Sequence, residues 1–81
     1  MPYKDLAGVL NQLAGTNGLG VEGAANVWCS SHNLSLEGAL NKKAGNSPKH
    51  YLGFDGVCNQ LADTKNLAGI GALNVLAGNH L

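Results

Sequence analysis

The stretch DLAGVLNQLAG at residues 5–15 returns four times in altered form, as GVEGAANVWCS at 20–30, SLEGALNKKAG at 35–45, GFDGVCNQLAD at 53–63 and AGIGALNVLAG at 68–78. Each copy turns on a glycine (Gly8, Gly23, Gly38, Gly56, Gly71) followed three residues later by an asparagine (Asn11, Asn26, Asn41, Asn59, Asn74). The interval is fifteen residues, widening to eighteen between the third and fourth copies. A fixed short period marks stacked units that share one core, and here it consumes nearly the whole chain.

With the repeat glycine as position zero, apolar residues fall at minus two (Leu6, Val21, Leu36, Phe54), plus one (Val9, Ala24, Ala39, Val57, Ala72), plus two (Leu10, Ala25, Leu40, Cys58, Leu73) and plus five (Leu13, Trp28, Leu61, Leu76). Spacings of three, four and seven lie on one stripe of an α-helix, whereas a strand requires alternation. Asp5, Gly20, Ser35 and Gly53 stand at minus three, where an N-cap residue meets the first free N–H groups; Ala68 departs from this rule. Gly15, Gly45 and Gly78 at plus seven, with Gly18, Asn33 and Asn66 at plus ten, suit the left-handed backbone that ends a helix. Ser30 and Asp63 replace that terminal glycine and Ala68 the cap, so the edges of copies two, four and five need not behave alike. Leu19, Leu34, Leu52 and Leu67 at minus four fit an apolar staple across each helix start.

The pattern predicts an all-α domain spanning 1–81, with five short helices in a compact helical stack or a closed bundle. Helices of about nine residues, roughly 14 Å long, are unstable alone, so packing between repeats must hold them. A mid-helix glycine weakens each by about 1 kcal/mol relative to Ala. Its direct physical use is close approach, letting a neighbouring helix or loop lie against the backbone. The asparagine borders the apolar stripe, where its two donors and one acceptor oxygen can tie a neighbouring loop to the helix. The alternative is that the five asparagines line a recognition face.

Local function is expected where the repeat breaks. The connection at 46–52 is three residues longer than its counterparts and carries Lys49 and Tyr51. Trp28 and Lys43 take the place of Leu at plus five in copies two and three, which suggests that the third helix is partly open and that Trp28 is either core or an interface anchor. With Tyr3 and Lys4 at the amino end, these six residues are the candidate partner contacts. Cys29 and Cys58 occupy small apolar positions and read as buried hydrophobes. His32, His50 and His80 lie in separate connections without metal-ligand spacing, and no glycine precedes Lys-Ser or Lys-Thr as in a phosphate loop. No catalytic carboxylate pair stands out, so the expectation is a non-enzymatic protein without cofactor or metal. Five basic and five acidic residues give zero formal net charge, which offers no footprint for nucleic acid or an anionic membrane. No apolar run is long enough to span a bilayer or to serve as a secretory signal.

The phrases GTNGLGVEGAANVW, LEGALNKKAG, GVCNQLADT and GALNVLAG resemble the Gly/Asn-rich short helical repeats in structural proteins of tailed bacteriophages, especially phages of actinobacteria. The resemblance covers about residues 5–79. It implies a virion structural protein, made in the host cytoplasm, foremost a minor capsid or decoration protein that binds and stabilises the major capsid lattice. Its implied partners are the major capsid protein or other virion proteins, with a homo-oligomer at a symmetry axis as a further arrangement. A tail or tail-tip component and a module binding a cell-wall polymer are the alternatives.

Overall fold

In the computed structural model, which describes residues 2–79, the repeat becomes five α-helices of nine residues each: α1 (Leu6–Ala14), α2 (Val21–Cys29), α3 (Leu36–Ala44), α4 (Phe54–Ala62) and α5 (Gly69–Ala77). All five begin after an extended residue at minus three. Asp5 and Ser35 accept there from the N–H of Gly8 at 2.8 Å and of Gly38 at 3.2 Å. Ala68 has no capping atom, and α4 supplies one: the Gly69 N–H donates to Asp55 Oδ1 at 2.6 Å.

The helix ends behave alike even where the terminal glycine is replaced. Ser30 (φ 57°) and Asp63 (φ 59°) adopt the same left-handed conformation as Gly15, Gly45 and Gly78, so copies two and four end as the others do. The cause lies one residue on. In every repeat the N–H at plus eight (Thr16, Ser31, Asn46, Thr64, Asn79) donates to the carbonyl of the repeat asparagine at 2.8–3.0 Å, closing the same terminal turn. That shared lock holds a non-glycine residue in a conformation costing about 1–2 kcal/mol.

Positions plus one and plus two are buried in all five repeats, flanked by Leu6, Val21, Leu36 and Phe54 at minus two and by Leu13, Trp28 and Leu61 at plus five, while Lys43 and Leu76 at plus five are exposed. Size varies in compensation. Phe54 fills minus two of α4, while the next repeat has Gly69 there; a Cβ on Gly69 would stand inside the van der Waals envelope of the Phe54 ring. The three extra residues between copies three and four enter an exposed connection containing a 3-10 helix, Pro48–His50, after which Leu52 rejoins the register.

Each helix packs on its neighbours in sequence, and α5 packs on α1; among the described residues no other pair of helices touches. The stack is therefore a closed ring, flattened to extents of 35 × 27 × 13 Å. An open array of repeats has two ends whose core faces must be covered by atypical terminal units. Here the first repeat covers the last.

Candidate interaction surface

What joins one repeat to the next is the asparagine at plus three. Asn41 donates from Nδ2 to the carbonyl of Glu37 in its own helix (2.8 Å) and to that of Leu52 in the next connection (3.0 Å). Its Oδ1 accepts from the Leu52 N–H at 2.9 Å and from Asn46 Nδ2 at 2.8 Å. The same four bonds recur for Asn11 with Leu19, Asn26 with Leu34 and Asn59 with Leu67, with Thr16, Ser31 and Thr64 in the role of Asn46. The fifth clamp closes the ring. Asn74 Nδ2 donates to the carbonyls of Ile70 and Lys4, both at 2.9 Å, and its Oδ1 accepts from the Lys4 N–H at 2.9 Å and from Asn79 Nδ2 at 2.8 Å. Lys4 is the minus-four residue of the first repeat, equivalent to the four leucines. Two donors and two lone pairs are the whole capacity of an asparagine amide, so these side chains are spent on the ring and do not form a recognition face.

A second set of contacts distinguishes the junctions. The residue at plus four meets the residue at plus seven or plus eight of the preceding repeat. Gln60 and Asn46 exchange amide hydrogen bonds at 2.9 and 3.2 Å, and Gln12 and Asn79 do so at 2.8 and 3.1 Å across the closure. Lys42 Nζ donates to the Ser30 carbonyl at 3.3 Å. Where Val27 and Val75 hold plus four, the preceding residue at plus eight is Thr16 or Thr64, whose hydroxyl is already given to its own asparagine.

Of the two neighbours expected against the repeat glycine, a helix or a loop, the structure places the loop there, and it is the repeat's own connection. Position zero lies roughly 150° around the helix from the middle of the buried stripe, taking 100° per residue, so it faces outward. A Cβ there would meet only the repeat's own minus-three or minus-four residue: Asp5 Oδ1 and Lys4 at Gly8, Leu19 at Gly23, Ser35 Oγ and Leu34 at Gly38, Leu52 at Gly56. At Gly71 it would meet the Tyr3 hydroxyl at 3.7 Å. Gly23 and Gly56 are exposed, and a Cβ on them would come no closer than 3.8 and 3.4 Å to another atom. Nothing inside the fold requires glycine at these two positions. Each lies instead in an open groove, between the outer side of its helix and the following connection. The groove at Gly23 has a volume of about 710 Å³ and the one at Gly56 about 580 Å³. Their walls use equivalent residues, Glu22, Asn33 and Leu34 in one and Asp55, Asn66 and Leu67 in the other. Leu19, Leu52, Leu67, Val27 and Val75 expose 38–51% of their surface around the ring.

The six candidate contact residues fall at three separate places. Trp28 and Lys43 meet: the Lys43 Nζ stands 4.8 Å from the centroid of the indole, which is half-buried against the core. Tyr3 and Lys4 belong to the ring closure, and there the backbone of Lys4 makes the essential contact. Lys49 and Tyr51 lie in the exposed connection before α4. Cys29 and Cys58 are buried free thiols. Burial raises both; at Cys29 the neighbouring Lys43 and Lys42 work against it, and at Cys58 the Asp55 carboxylate adds to it and the thiol is pushed up to about 12. Among the described residues no three His, Cys, Asp or Glu side chains come together to hold a metal, and no helix is long and apolar enough to cross a membrane. His80 lies outside the described residues. Comparison with protein-family models, with curated proteins and with solved structures gives no match.

Proposed function

We propose that this chain is a structural protein of a bacteriophage particle, a minor capsid or decoration protein that binds the capsid lattice and stabilises it. The observation that carries this reading is the division of labour in the repeat. The asparagines are saturated by ring bonds, and what the second and fourth units leave outside is an exposed glycine in an open groove, with exposed leucine and valine side chains spaced around the ring. Such a surface suits passive docking through apolar burial, where lattice repetition multiplies weak contacts. The likeness of the repeats to phage structural modules supports the same role. Binding would stabilise the occupied lattice by mass action, as any ligand of the assembled state does.

The rival cell-wall reading needs an aromatic ring free to stack on a sugar. The ammonium of Lys43 lies over Trp28, which leaves that ring poorly placed for the task.

The test is to quantify the chain by mass spectrometry in purified particles separated into heads and tails, and to heat particles made without it. Presence in heads together with a lower temperature of genome release in its absence is the expected result. A tail-only signal would move the protein to the tail, and absence from both fractions would end the virion proposal.

A further inference from the structure

Resting on the virion reading, we infer that one copy of this chain sits on a fivefold axis of its partner, each of its five repeats facing one of five identical partner subunits. Three observations lead there. The chain holds five equivalent units, and the fifth joins the first through the same four-bond clamp that joins all the others, Asn74 to Lys4. The ring therefore closes through five like junctions within one polypeptide, and has no end repeat that would set a direction of stacking.

Part of the outward surface repeats with the same order. Leu19, Leu34 and Leu52 lie beside Gly23, Gly38 and Gly56, and Leu67 and Lys4 hold the same minus-four place in the remaining repeats. Leu19, Leu52 and Leu67 are exposed, each fixed in position by its backbone bonds to the preceding asparagine. A partner with one pocket per subunit would meet an exposed leucine in three of the five repeats, half-buried Leu34 in the fourth and Lys4 in the fifth.

Area distinguishes this occupant from a partner bound at a single repeat. The accessible surface of the chain is 4630 Å², or roughly 930 Å² for each of five repeats, counting the rim and both faces of the ring together. A stable interface buries about 800 Å² on each partner, nearly all that one repeat exposes in every direction. About a sixth of every repeat supplies it when all five engage. Closed shells built with icosahedral symmetry present such fivefold axes at their vertices.

Two measurements test the inference. The first is the copy number in purified heads, with a reconstruction of single vertices computed without imposed symmetry. On the order of a dozen copies per head, with density on the vertex axis, is expected for one chain per vertex. Hundreds of copies, or density away from that axis, would overturn the fivefold inference and leave the virion reading standing; absence from particles would overturn both. The second compares Leu19→Ser, Leu52→Ser and Leu67→Ser, singly and combined, for retention on heads after washing. Circular dichroism melts verify folding first. Each change should weaken retention by roughly three- to tenfold, the effects multiplying, since each removes one of several comparable apolar contacts. Loss caused entirely by one of the three, with no effect from the others, would place the contact at a single repeat and overturn the symmetric arrangement.

Discussion

Asn41→Ala removes one complete clamp from the ring. The side chain is wholly buried and makes four hydrogen bonds of 2.8–3.0 Å, to Glu37, Asn46 and both backbone groups of Leu52. A net hydrogen bond contributes about 1 kcal/mol, and a buried partner left unsatisfied costs about 1–3 kcal/mol. Leu52 is 42% exposed, so water can reach part of what is uncovered and the full sum of penalties does not apply. The expected loss is about 2–4 kcal/mol. A chain this size has about 4–12 kcal/mol in all, so the melting temperature should fall by about 10–25 °C. Urea unfolding followed at 222 nm gives the free energy and shows through the m-value that the unfolding unit is unchanged. The same substitution at Asn26 and Asn59, which are only partly buried, should cost about 1–2 kcal/mol. A loss below about 0.5 kcal/mol at Asn41, with an unchanged m-value, would refute the claim that the clamps hold the ring.

Gly69→Ala drives a methyl into the Phe54 ring and should destabilise by about 1–3 kcal/mol, with most of that loss recovered by adding Phe54→Leu; a double-mutant cycle measures the coupling. Gly23→Ala should raise stability by about 0.5–1 kcal/mol in the isolated chain, because a helix former replaces glycine where the fold leaves room, and should weaken binding to heads by filling the groove. Asp55→Ala should cost about 1 kcal/mol by uncapping α5, and hydrogen exchange should report it first at the α5 amino end. Cys58 is held neutral with its thiol pushed from the ordinary 9.0 up to about 12, so its contribution is complete below about pH 9 and is lost as pH rises toward about 12. Urea midpoints measured across that range should fall, and Cys58→Ala should flatten the decline.

The spans of all five helices follow from the sequence because cap, stripe and terminator each recur at a fixed distance from the glycine. The closure was hidden for a specific reason. Position minus four is Leu in four repeats and Lys4 in the first, so the apolar pattern breaks at the residue that completes the ring. What Asn74 holds is the backbone of Lys4, and backbone groups carry no sequence signal. The capping of α5 by Asp55 was equally silent, since fourteen residues separate donor and acceptor and only the packing of α4 on α5 brings them together. At the candidate surface, the outward position of the glycines was available from helical angle alone. Of the neighbouring helix or loop expected against them, the helical angle leaves only the loop, since the glycines face away from the stripe on which the helices pack. The pairing of Trp28 with Lys43 could be suspected from their shared plus-five position, but only adjacency of α2 and α3 makes it a contact.

The junction pairs also count. Followed along the chain, the residues at plus four and plus eight read Gln12 and Thr16, Val27 and Ser31, Lys42 and Asn46, Gln60 and Thr64, Val75 and Asn79. The fourth repeat restates the first and the fifth begins by restating the second, so the underlying phrase is three repeats long, and the fifth repeat departs from it. The break falls at one side chain. Where the second repeat ends in Ser31, the fifth ends in Asn79, the outgoing residue of a third repeat, and that is the residue a following Gln answers. The Gln it meets is Gln12. A phrase of three would by itself run on to a sixth member; Asn79 directs the chain back to its own beginning, so the size of the ring is written at its final turn.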